Sequence, residues 1–187
     1  MRHLVPLVAA LFLVGATPGQ VPESAGLWQG AMHGYTPNTV VGATVLDTAA
    51  LTKLLGETPA VLVDVAEADK KPAGMAAATL WMPAHRSIPG AIWLPGAGGG
   101  SGEAPFVDAF KTRVAALTND DRARPIVAFC RPECWGSWNA AKRLVGLGYT
   151  KVYWYSEGME GWQAAHDTTI VKADPQWVGL VEKSPTQ

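Results

Sequence analysis

Residues 125–147 pass from an unbroken apolar run into a helical pattern, and the two cysteines of the chain stand at the junction. Pro125-Ile126-Val127-Ala128-Phe129 places no polar residue between its apolar ones, the pattern of a short buried strand. From Ser137 onward, Ala140, Ala141, Leu144, Val145 and Leu147 recur at helical spacing. Cys130 is thereby set at a strand end, facing a helix N-terminus. Backbone N–H groups and the helix dipole favour negative charge there, so a thiol ionises more readily and anions are well received. Cys134 follows four positions later.

A second run, Val61-Leu62-Val63-Asp64-Val65, also lacks alternation and reads as a central parallel strand, with Asp64 as the polar exception at its C-terminal end. Around these two strands the chain reads as strand, helix, strand, helix, strand, helix. Val40–Val45 is expected as a strand, and Asp47 as the N-cap of a helix over Thr48–Leu55 that Gly56 ends and Pro59 bars from continuing. The stretch Ala66–Ser87 is long and without clear structure. Ile88–Pro95 is a tight turn leading into a short strand. Gly96–Gly102 lacks the lysine and spacing of a nucleotide loop, and is expected as a flexible surface connection. A helix opens at Pro105 and runs through Leu117. Lys151–Tyr155 is the next strand, Glu157–Ala165 a short helix carrying Trp162 inward, and His166–Gln187 a tail partly draped and partly loose. The order predicts an α/β fold with a mostly parallel central sheet flanked by helices. Ligands of such sheets sit at the carboxyl ends of the strands, where Asp64 and Cys130 both lie.

The 48% hydrophobic and 17% charged content suits one core of ordinary size, and the net charge of −1 gives no support for nucleic-acid binding or for an anionic membrane surface. Met1-Arg2-His3, the apolar run Leu4–Val14 and the small residues after it have the layout of a secretory signal peptide, with cleavage between Ala16 and Gln20. The run is too short to span a bilayer. The expected organisation is a signal peptide at 1–19, an irregular lead-in at 20–39, a domain at 40–166 and a tail at 167–187. The mature chain is expected in the periplasm, where a cysteine pair can exist as a disulfide.

The segments Val61–Val65, Ser87-Ile88-Pro89-Gly90-Ala91-Ile92 with Arg86 nearby, Pro125–Cys130, Ala140-Ala141, Gly148–Val152, and Gly158 with Trp162 resemble, in order, the motifs of the rhodanese-like superfamily. Cys130-x-x-x-Cys134-Trp135, followed by Ser137–Arg143, Val152–Tyr155 and Glu157–Trp162, is similar to the subfamily named for a Cys/Cys-Trp motif and for association with PQQ-dependent catabolism. That resemblance implies an exported bacterial protein acting through Cys130, with a small sulfur-containing anion or thiol as ligand. It also implies a PQQ-dependent dehydrogenase or cytochrome c as partner, and no cofactor of its own.

The loop departs from an ordinary rhodanese loop. It is about one residue longer, it carries Pro132 and Glu133 where a glycine is usual, and no arginine closes it before Trp138. Proline has no N–H to offer an anion and Glu133 would repel one, so phosphatase chemistry is disfavoured. Three readings stay open. Cys130 accepts and passes sulfur as a persulfide; Cys130 and Cys134 form a thiol–disulfide relay; or the pair only pins the loop of a non-catalytic binding protein. The candidate catalytic residues are Cys130 and Cys134, the latter as resolving or disulfide partner. Arg131, Glu133, Trp135, Gly136, Ser137, Asp64 and Arg86 are the candidate substrate-binding residues. Trp135 either lines a substrate or partner surface or belongs to the core, and Asp64 either pairs with Arg86 or faces outward. His33, His85 and His166 have no metal-ligand spacing with the cysteines, and no metal is expected. Lys142 and Arg143 read as solvent-facing helix residues.

Overall fold

The computed structural model describes residues 21–76, 79 and 84–182, so the expected signal segment, part of the Ala76–Ala78 run and the last five residues lie outside the described residues. In chain order the first elements are β1 (Thr44–Leu46), α1 (Thr48–Glu57), β2 (Val61–Asp64), β3 (His85–Ser87), β4 (Ile92–Trp93) and α2 (Ala104–Thr118). They are followed by β5 (Ile126–Phe129), α3 (Trp135–Gly146), β6 (Val152–Tyr155), α4 (Gly158–Gln163), β7 (Thr169–Val171) and α5 (Pro175–Glu182).

The two unbroken apolar runs form β2 and β5, buried at every position. They pair with each other in parallel, Asp64 opposite Phe129, at the middle of a five-stranded parallel sheet of order β1-β6-β5-β2-β4. After β2 the sheet continues to β4 on one side; after β5 it continues to β6 on the other. The crevice beyond the C-terminal ends of β2 and β5 is therefore the switch point of the sheet, the place where such folds bind ligands.

Burial on both faces follows from alternation along each strand. Val61, Val63, Ile126, Ala128 and Cys130 point into one core with Phe110 and Val114 of α2, Trp138 and Leu144 of α3, and Trp177 of α5. Leu62, Val127 and Phe129 point into the other with Leu51 of α1 and Met159 and Trp162 of α4. The result is the expected α/β architecture, a parallel sheet flanked by helices on both faces.

Some boundaries move, each for a local reason. The first strand is Thr44–Leu46, because Val40–Gly42 closes a turn in which Ala43 N–H donates to Val40 O (2.9 Å). Asp47 caps α1 through Ala50 N–H as expected (2.7 Å), but the helix runs through Gly56 to Glu57. Thr58, in extended conformation next to Pro59, ends it instead. Helix α3 starts at Trp135, directly after Cys134, so the cysteine loop is short and tightly bounded. The tail is draped over the domain through α5. Its β7 pairs antiparallel with β3, Arg113 holds Asp174 with two bonds (2.8 and 2.7 Å), and the Trp177 indole N–H donates to Pro95 O (3.0 Å). Among the described residues no helix is long and apolar enough to cross a membrane.

Candidate functional site

Cys130 is the first residue after β5 and Cys134 the N-cap of α3; their sulfurs are joined as a disulfide across a Cα–Cα separation of 6.5 Å. Both residues are buried. Three backbone features hold the loop between them. Glu133 takes a left-handed conformation, φ 50°, the role a glycine would usually fill. Met159 N–H donates to Cys130 O (2.9 Å) from the start of α4. Gly158, at φ 60°, lies so close to Arg131 and Pro132 that a Cβ there would run into their backbone.

The lead-in closes the loop from outside. His33 and Cys134 form an antiparallel bridge, Gly34 N–H donates to Glu133 O (2.9 Å) and Trp135 N–H donates to Met32 O (2.8 Å). Trp135 is buried, stacked on Trp28 of the lead-in (ring centroids 4.2 Å apart) and edge-on to Trp138 (5.2 Å), so its ring packs in the interior instead of lining a binding surface. Ser137 is equally internal: its hydroxyl donates to Cys134 O (3.1 Å) and accepts the indole N–H of Trp154 (3.0 Å). Pro132 has no N–H and that of Trp135 is committed to Met32, so neither position offers a donor to an oxyanion.

The glycine-rich segment is a fixed wall, not a flexible connection. Ala97, Gly98 and Gly100 are buried, and a Cβ on Gly98 would overlap the backbone of Gly136 in the first turn of α3. Two polar residues of α3 hold it. Asn139, fully buried, accepts Trp28 N–H (2.7 Å) and donates to Trp28 O (3.0 Å) and Gly98 O (3.1 Å). Arg143 is buried too, contrary to the solvent-facing expectation, and donates to Ala97 O, Gly99 O and Ser101 O at 3.1, 3.0 and 2.9 Å. Burial pulls its guanidinium below the ordinary arginine value; the three carbonyls and the rings of Phe106 and Phe110 are what the charge meets instead of water. Lys142 is tied down as well, donating to Ser24 O (2.8 Å). Trp135, Asn139 and Arg143 are spaced four apart and so share one face of α3, the signal by which Asn139 and Arg143 could have been found.

Two clefts meet at the loop. The first, about 250 Å³, is lined by Met32, His33, Gly98 and Gly136 as well as Glu67, Asp69 and Lys70. The second, about 350 Å³, is lined by His85, Arg86, Trp93, Met159, Glu160 and Gln163. Cys130 and Arg131 line both, and Cys134 lines only the first. Arg131 is largely exposed, 4.0 Å from Glu160. Glu133 is exposed at the loop's tip.

Asp64 does not pair with Arg86. Its Oδ2 accepts from Ser87 Oγ (2.6 Å) and His85 Nε2 (2.7 Å), its Oδ1 from Ala66 N–H (2.9 Å), and it is 1% exposed. Arg86 is carried outward by the alternation of β3 and donates to Thr168 Oγ1 (2.7 Å). The histidine that reaches the site was not a sequence candidate. Among the described residues no group of three or more His, Cys, Asp or Glu side chains is placed to hold a metal.

A profile of the rhodanese-like domain matches residues 47–165, more than half of the chain. No curated protein sequence matches significantly. Solved structures similar to it include a human single-domain sulfurtransferase, 22% identical with TM-score 0.40, covering 67% of this chain and 98% of its own. A yeast protein tyrosine phosphatase of the rhodanese family is 16% identical with TM-score 0.48, covering 68% and 88%. Thiosulfate sulfurtransferase from Pseudomonas aeruginosa is 18% identical with TM-score 0.45, and the match takes in 76% of this chain but only 24% of that one.

Proposed function

Since the chain belongs to the rhodanese-like domain family, we propose that it accepts sulfane sulfur on Cys130 and discharges it with the help of Cys134. The observation that carries this reading is the Cys130–Cys134 bond at the mouth of two clefts, with Cys130 open to both. In the dithiol form, the Cys130 thiolate attacks the outer sulfur of thiosulfate, sulfite leaves, and Cys130 carries a persulfide. The Cys134 thiolate then attacks Cys130 Sγ, hydrosulfide leaves, and the disulfide closes. Two external thiols, leaving together as one disulfide, supply the two electrons that reopen the pair.

The Cys-x-x-x-Cys-Trp pattern supports placing the chain in the subfamily associated with PQQ-dependent catabolism. The stacking of Trp135 on Trp28 gives that tryptophan a reason to follow the second cysteine. In this reading the protein is exported, works in the periplasm, and partners a PQQ-dependent dehydrogenase or cytochrome c. Support for export is the leader-like start at residues 1–19 together with an oxidised cysteine pair.

Mass spectrometry on the reduced protein tests the chemistry. With thiosulfate, the wild type should release one hydrosulfide per chain and end as the disulfide, whereas Cys134→Ser should stop with one extra sulfur on Cys130. Absence of both sulfide and adduct would end the sulfur-transfer reading. Titrating purified quinoprotein dehydrogenase and its cytochrome c against the protein by calorimetry tests the partner, and no heat with either removes that assignment.

A further inference from the structure

We propose that His85 is a catalytic acid–base residue for thiol exchange at Cys130, and that the second cleft takes the small organic thiol that reopens the disulfide. The proposal rests on the sulfur-handling reading above and adds the reductant's side of the reaction. Its basis is a side-chain arrangement that the core does not require. The buried carboxylate of Asp64 accepts the Nε2 proton of His85, and the imidazole is stacked on Trp93 with ring centroids 4.3 Å apart. Trp93 is itself fixed by its indole N–H to Ala66 O (2.8 Å). The ring thus has one orientation and one tautomer, with Nε2 committed to donating and Nδ1 left to take up or release a proton. A carboxylate–imidazole pair of this kind is the usual way an imidazole is oriented for proton transfer.

His85 is 12% exposed, and what it faces is the cleft it shares with Cys130. Cys130 lines this cleft and Cys134 does not, so a thiol entering here approaches the disulfide from the Cys130 side. The cleft's roughly 350 Å³ falls within the range of small-molecule sites. The thiol gives its proton to His85 Nδ1, its thiolate attacks Cys130 Sγ, the Cys130–Cys134 bond breaks, and Cys134 leaves as the thiolate. His85 returns the proton to it by way of the next thiol or water. A second molecule of thiol then frees Cys130, so two thiols are oxidised to one disulfide while the protein's pair is reduced. The other charged residues lining the cleft are Glu67 and Asp69 from the β2–β3 connection, Arg86 beside His85, Arg131 from the loop and Glu160 from α4.

The test starts from the oxidised full-length protein, with no sulfur donor present, so a chain inert toward thiosulfate can still pass it. Disulfide opening is followed by alkylation and mass at neutral pH, with mercaptoethanol or with a trialkylphosphine, which attacks the disulfide without a proton to give up. His85→Gln should slow the mercaptoethanol reaction at least about tenfold and leave the phosphine reaction unchanged. The tenfold gap should close above about pH 9, where the thiol ionises by itself. Acid quenching of the wild-type reaction should show the mixed disulfide on Cys130. Equal slowing with both reductants, no slowing with either, or the adduct on Cys134 would overturn the proposal.

Discussion

Two segments outside the family match, residues 21–41 and 167–182, attach beside different clefts of the two that share Cys130. The lead-in supplies Met32 and His33 to the first cleft and ties itself to the cysteine loop through backbone bonds and Trp28. None of the tail's described residues lines either cleft. Its β7 instead pairs with β3, His85 opposite Val171, and so steadies the strand that carries His85 into the second cleft, with Arg86 at its edge. The lead-in is held to α3 by polar bonds and by Trp28 on Trp135, and the tail by the Arg113–Asp174 pair and by a large buried ring, Trp177, against Phe106 and Phe110. A minimal parallel sheet would carry Cys130 but would lack a wall of each cleft.

The sharpest way to separate the two attachments is to remove one anchor from each. Trp177→Ala deletes a ring that is 1% exposed, and unfolding in urea should show a loss of about 4 kcal/mol. A loss below about 1 kcal/mol would mean that the tail is an ornament and not part of the core. Asn139→Ala leaves Trp28 N–H, Trp28 O and Gly98 O without their partner, at a cost of about 2–3 kcal/mol. Its exchange signature should differ: the Trp28 amide should lose protection while Asp174 N–H, bonded to Trp93 O, keeps its own. Equal loss at both would erase the distinction between the two segments.

The sheet was legible because fully buried strands announce themselves by unbroken apolar runs, and the cysteine loop because it joins such a run to a helical period. The attachments were not, since they depend on pairings far apart in the chain, 61 residues for Arg113 with Asp174 and over a hundred for the lead-in. Asn139 meets Trp28 across 111 residues and Lys142 meets Ser24 across 118. A charged or amide side chain on a helix reads as solvated unless its partner is known, which is why Arg143 was expected outside although it binds three carbonyls of the glycine wall. Asp64 was placed correctly at the strand end, but its partner was off by one residue. In a strand that single step exchanges the inward His85 for the outward Arg86.

Smaller effects probe the loop against the lead-in that covers it. Glu133 holds a left-handed backbone at the loop's tip, a conformation that disfavours side chains by about 1–2 kcal/mol. Glu133→Gly should stabilise the protein, by less than about 1 kcal/mol once the added freedom of the unfolded chain is counted. The thermal midpoint of the two proteins, compared in the disulfide form, checks this. A lower midpoint for the glycine variant would show that the Glu133 side chain makes contacts worth more than its backbone costs.

The smallest effect lies where the lead-in returns toward the sheet. Half-buried Glu23 accepts from the Thr39 hydroxyl and from Val41 N–H (3.0 Å), with Lys142 adding positive charge nearby. The Thr39 bond is the main reason its carboxyl titrates below its usual value of 4.5; partial burial opposes the shift, and Val41 and Lys142 reinforce it. A lowered folded value means that the clasp contributes fully above the ordinary carboxylate range and is lost as pH falls through the folded value. Exposure and screening keep the contribution under about 1 kcal/mol. The Val41 amide resonance should therefore shift with a midpoint below 4.5 while the Trp135 amide, bonded to Met32 O, stays put. Glu23→Gln should abolish the Val41 titration. A midpoint at or above 4.5, or a Trp135 amide moving in step with Val41, would show that the acid end of the lead-in is not an independent clasp but one piece with the segment that seals the cysteine loop.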